Sequence, residues 1–136
     1  FKVRTLPLVD AGYDCYQALF TRRDVVRQSP EMVRAFVAAS IRGWRDYLEG
    51  DPAAADDLIL QRNPDMTREL LAFSRSAMIR GRYVTGDPAQ GEAIGQLSPA
   101  RLAGQIDTLL RLKILERRVE PSAVATTEFL PAQAAP

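Results

Sequence analysis

Ser29-Pro-Glu-Met-Val-Arg-Ala-Phe-Val-Ala-Ala-Ser-Ile-Arg-Gly-Trp-Arg-Asp-Tyr-Leu-Glu-Gly-Asp-Pro52 is the stretch on which the reading of this chain turns. Ser29 can accept a hydrogen bond from a first-turn N–H, and Pro30 stands where no N–H is needed. Glu31 sets negative charge at the positive end of the helix dipole. Val33, Phe36, Val37, Ile41, Trp44 and Leu48 recur at helical spacing and predict one inward stripe, with Trp44 in the core. Gly50 ends the helix, and Asp51-Pro52 opens the next.

Downstream the chain reads as helical. A second helix is expected over about 52–62, with Ala55, Leu58 and Ile59 inward, stopped by Asn63-Pro64. A third, capped by Asp65, spans about 66–80 with Met66, Leu70, Phe73, Ser74 and Ala77 on its buried side. Pro88 and the glycines of 81–97 predict a loop. Ser98-Pro99 repeats the capping signature and starts a helix over about 99–112, with Leu102, Ile106, Leu109 and Leu110 inward. Pro121 begins one more turn. Glu128-Phe-Leu130 is a short apolar anchor, and 132–136 reads as a loose tail. Lengths and spacings of the helices differ too much for a repeat.

Upstream the pattern changes. Phe1 to Val9 alternates as a strand up to Pro7, and Asp10-Ala-Gly12 marks a turn. Tyr13 to Thr21, rich in aromatic and small apolar residues, reads as a second strand. Arg22 to Gln28 reads as a short helix or turn carrying Val25 and Val26 inward. The expected fold is therefore α/β: two N-terminal strands followed mostly by helices. Two strands alone are marginal, so they either pack on the helices as a hairpin or belong to a larger sheet.

Composition narrows the function. The 136 residues are enough for one domain with a core, and 46% hydrophobic against 26% charged residues is a globular balance. A net charge of +1 points to neither nucleic acid nor an anionic membrane. Cys15, the single cysteine, allows no internal disulfide and reads as a small buried hydrophobe. Histidine is absent, which removes the commonest general base, the usual triads and histidine metal sites. Gly86-Asp-Pro-Ala-Gln-Gly91 matches no phosphate-cradling fingerprint. The adjacent Asp56 and Asp57 point apart on a helix and cannot share a proton. No cofactor or metal is expected, and the chain does not read as an enzyme. Asp10, Tyr13 and Tyr16 are the candidate ligand contacts: they cluster between the strands, and tyrosine offers an apolar face and a hydroxyl to a small-molecule cleft. Turn and packing roles account for these three residues equally well.

The order of pieces carries a resemblance. A strand leads into Val9-Asp10-Ala-Gly12-Tyr13 and Tyr16, then Ala18-Leu-Phe-Thr21. The helix phrase Pro30-Glu-Met-Val33 to Gly43-Trp44 comes next, then Tyr47-Leu-Glu-Gly-Asp-Pro52, and Thr127-Glu-Phe-Leu-Pro131 closes. Over about 1–131 this resembles the C-terminal portion of periplasmic substrate-binding proteins of ABC importers, of the nitrate/sulfonate/taurine and thiamine-pyrimidine type. The resemblance implies a two-lobed α/β clamshell of the type II periplasmic-binding kind, which closes on a small ligand and presents it to a membrane permease. It places the protein in the periplasm, or lipid-anchored outside the cytoplasmic membrane. It puts Asp10, Tyr13 and Tyr16 near hinge and cleft, and implies that most ligand contacts precede Phe1. The chain by itself is then expected to self-associate through a strand edge and apolar helix faces. A sensory input domain of the same fold is the alternative. A pyrimidine-synthase-type enzyme is disfavoured, because that chemistry relies on histidine and a cysteine cluster.

Overall fold

The structure, a computed structural model, describes residues 18–131 together with Arg4 and Leu6. Six α-helices follow in order: α1 (Arg23–Gln28), α2 (Pro30–Glu49), α3 (Ala53–Arg62), α4 (Arg68–Arg80), α5 (Pro99–Arg111) and α6 (Pro121–Val124), with a 3₁₀ turn at Pro88–Gln90. No strand or sheet occurs among the described residues, which corrects the α/β expectation with its two N-terminal strands. Residues 18–21, the end of the expected second strand, are irregular, with Leu19 61% and Phe20 97% exposed. Aromatic and β-branched residues favour a strand only where a neighbour takes its N–H and C=O groups and a layer covers one face. No neighbouring strand is present among the described residues. Arg4 and Leu6, within the first expected strand, are irregular too, with Leu6 75% exposed; the remaining residues of both expected strands lie outside the described set, as do the tail residues 132–136.

The described residues divide into two compact units, one holding 22–96 with the segment from Phe129, the other holding 97–128. In the first, α1 packs on α2 and α3 packs on α4. The long helix forms over the residues its pattern predicts, with Pro30 in its first turn and the Gly50 N–H donating to the Asp46 carbonyl. Ser29 precedes it without a side-chain cap bond. Ile41 and Leu48 are buried, while Val33 and Val37 are half-buried. Phe36, at 62% exposed, and Trp44, at 41%, are not core, contrary to the stripe expected of them. Six apolar residues recurring through a 20-residue helix span a wider arc than one packed neighbour covers.

α4 differs more. Thr67, not Asp65, caps it, its hydroxyl accepting from the Leu70 N–H at 3.1 Å. Leu71 is buried and Ser74, Arg75 and Met78 are half-buried, whereas Leu70 (44% exposed) and Phe73 (66%) face outward. The cause is Arg75. Its guanidinium donates to the carbonyls of Tyr47 (2.7 Å), Leu48 (2.8 Å) and Gly50 (3.2 Å), the orphan acceptors at the end of α2. That anchor turns Leu71 and Met78, one turn to either side, inward with it.

The buried Phe129 confirms the anchor expected at 128–130. The Arg34 guanidinium lies 5.2 Å from its ring centroid. Gly95 closes this core. Its φ is +86°, and a Cβ there would lie 2.7 Å from Ile41 Cδ1 and 3.5 Å from Leu130 Cδ2. The loop before it is tied by side chains: Arg82 pairs with Asp87 at 2.6 Å, and the Asp87 N–H donates to Glu92 Oε2 at 2.9 Å.

In the second unit α5 and α6 pack together. Ser98 caps α5 as its sequence predicts, accepting from the Arg101 N–H at 3.3 Å. Ile106 is buried, and Leu102, Leu109 and Leu110 are half-buried. Arg118 pairs with Asp107 beyond the helix end.

Candidate functional site

Asp10, Tyr13 and Tyr16, the ligand contacts expected from sequence, lie outside the described residues. Among the described residues two features bear on function: a groove in the second unit and open apolar faces in the first.

The groove follows from two proline-led helix starts. Pro99 begins α5 and Pro121 begins α6, each fixing φ where the missing N–H costs nothing. Packing these two helices together leaves a trough of about 520 Å³. Leu97, Leu102, Pro121 and Ala125 line it and are half-buried, so they form an apolar floor. Ser122, Thr126 and Thr127 line it and are exposed, so they form a rim of hydroxyls. Pro99 completes the wall. No side chain lining the groove carries a charge. Thr126 is oriented by Glu128, whose backbone N–H donates to Thr126 Oγ1 at 3.2 Å and whose carboxylate sits 3.5 Å from the same hydroxyl. A carboxylate therefore stands at one edge of an otherwise neutral trough. The trough is open to solvent, with an apolar floor and a hydroxyl rim. Such a lining offers apolar contact and hydroxyl hydrogen bonds to a small molecule.

In the first unit the polar centre is structural. The Tyr47 hydroxyl donates to Asp56 Oδ1 at 3.1 Å, while its carbonyl accepts from Arg75. Burial first, then the hydrogen bond to Asp56 and the charge of that carboxylate, raise the Tyr47 hydroxyl above its ordinary range; Arg75 acts the other way. Asp57 instead pairs with Arg68 at 2.6 Å, so the two adjacent carboxylates take separate partners. At the start of α1, the Arg22 guanidinium beside Asp24 holds that carboxyl below its usual range. No group of three or more metal-ligating side chains occurs among the described residues, and no helix among them is long and apolar enough to cross a membrane.

The apolar faces are formed by residues one helical turn apart. Met32 (58% exposed) and Phe36 (62%) share one side of α2, and Leu70 and Phe73 share one side of α4. Tyr83, just past α4, is 76% exposed. Only five described hydrophobic side chains are buried: Ile41, Leu48, Leu71, Ile106 and Phe129.

The sequence did not single out the groove; it expected apolar helix faces without locating them, and placed Phe36, Leu70 and Phe73 inward. The two Pro-led helix starts were the available signal for the groove, but nothing in their spacing says that they pack side by side. Comparison with family models, with curated proteins and with solved structures finds no match for the chain.

Proposed function

We propose that the chain is the C-terminal part of a solute-binding component of an ABC importer, which captures a small molecule outside the cytoplasmic membrane and delivers it to a permease without bond chemistry. One observation carries the reading. Two separated parts of the family-like phrase, 29–52 and the segment from Phe129, fall in one unit: Phe129 seats under Arg34, and Ile41 and Leu130 both border Gly95. A phrase whose distant parts pack on each other has a shared structural purpose, which a chance likeness does not require.

The open faces on α2 and α4 fit the same proposal. Apolar surface of this kind normally lies against another body. In the whole receptor the cover is the rest of that receptor; for the chain by itself it is a second copy, reached through helix faces.

The test is a thermal-shift titration of the full-length gene product with nitrate, taurine, methanesulfonate and 2-methylpyrimidine. The expected result is a saturable rise in Tm with one chemical class, lost when Tyr13→Ala and Tyr16→Ala are combined. No shift with any of the four would overturn the proposal.

A further inference from the structure

α2 is apolar on two sides. Ile41 and Leu48 are buried on one of them. Met32, Ala35, Phe36, Ala39 and Gly43 recur at helical spacing on the opposite side, and all five are exposed. Nothing lies within 4 Å of a Cβ built at Gly43, so that end of the face is open. We propose that a second copy of the chain seats its own α2 on this face, antiparallel, about a two-fold axis near residues 37 and 38. Shape and charge both select that arrangement. Bulky side chains stand in the first half of the face and small ones end it. Antiparallel pairing sets Met32 against the partner's Gly43 and Phe36 against the partner's Ala39 at the same time, because both pairs straddle one midpoint. A parallel pair would set each bulky residue on its own copy and leave the small ones facing a gap. Glu31, which reaches Arg34 at 3.5 Å and has a side chain 86% exposed, stands at the N-terminal end of one flank. Arg42 and Arg45, both exposed, stand toward the C-terminal end of the same flank. The two-fold axis joins like flanks in reverse, so Glu31 meets the partner's Arg45 twice in each dimer. Asp46, beyond Gly43, comes beside the partner's exposed Gln28, whose amide can donate to it. This pairing deepens the reading that the open faces need cover, and it is independent of which solute binds.

The experiment is copper-phenanthroline cross-linking of the full chain carrying Cys15→Ser. Positions 32 and 43 of one helix lie about 16 Å apart, well beyond the roughly 7 Å between Cα atoms that a disulfide spans, so no bond closes within a chain. The double variant Met32→Cys, Gly43→Cys is expected to run as a linked dimer on a non-reducing gel. Met32→Cys alone and Gly43→Cys alone are expected to stay monomeric, because antiparallel pairing holds their two copies the same distance apart. In sedimentation, Glu31→Arg is expected to weaken association about three- to tenfold, and Glu31→Arg with Arg45→Glu to recover most of that loss. Should the cysteine variants lose helix, which circular dichroism would show, the charge exchange still decides. Monomer from the double cysteine variant, equal cross-linking of Met32→Cys alone, or no recovery in the exchanged pair overturns the pairing. Cross-linking as expected with no solute response in the thermal-shift test leaves the pairing standing and removes the receptor reading; the converse result does the opposite.

Discussion

At the scale of single residues, Arg75 and Gly95 hold the first unit at two points that the sequence does not pick out. Arg75 spans three carbonyls at the end of α2. Arg75→Ala should cost about 2 kcal/mol, the range for hydrogen bonds from a charged donor. Arg75→Lys should restore less than half, because an ammonium lacks the planar fork. Urea unfolding of the two variants checks both figures. The two glycines Gly95 and Gly43 should respond in opposite directions. Gly95→Ala forces a Cβ against Ile41 at a left-handed φ and should lose about 1–3 kcal/mol. Gly43 lies within α2 with nothing within 4 Å of a built Cβ, so Gly43→Ala should gain up to about 1 kcal/mol. Tyr47 gives the alkaline limit. Its hydroxyl is raised in the folded chain, so the unfolded chain releases that proton first. Its contribution is then complete below the unfolded pKa, about 10, and disappears as pH climbs through the folded value. Urea midpoints from about pH 9 to 12 should therefore fall more steeply for the parent chain than for Tyr47→Phe, with the difference confined to that range.

At the scale of elements, helix positions were legible and helix rotations were not. Ser-Pro, Gly and Asn-Pro punctuation placed α2, α3 and α5 to within a residue or two, because caps are local chemistry. The side that each helix buries depends on its neighbours, which no local pattern contains. α4 shows the difference. Leu70, Phe73 and Ala77 make a respectable stripe, yet Arg75 anchors the opposite side, and Leu71 is the buried leucine. Leu71→Ala should accordingly cost about 2–5 kcal/mol, whereas Phe73→Ser should stay within about 0.5 kcal/mol of the parent. Thermal unfolding of the pair tests the rotation directly. The strand expected over 13–21 fails at its described end for a related reason: Leu19 and Phe20 have the right composition, but composition supplies no partner strand. The groove was illegible because its walls come from residues 97–102 and 121–127, brought together only when α5 and α6 pack.

At the scale of the whole molecule, the five buried hydrophobic side chains stand against a longer set of large apolar residues left open on α2, α3 and α4 and in the segments that flank them. Folded chains are only marginally stable, and uncovered aromatic faces cost them both solubility and cohesion. The open apolar faces of these helices call for cover by another body; under the proposed function that body is the remainder of a receptor, or a second copy when the chain is alone. The most direct measurement is sedimentation equilibrium of the chain over a wide concentration range, compared with the double variant Phe36→Ser, Phe73→Ser. The account predicts reversible self-association in the parent, weakened at least about tenfold in the variant, which corresponds to about 1.4 kcal/mol. A compact monomer at every concentration, unfolding cooperatively and indifferent to both substitutions, would contradict it.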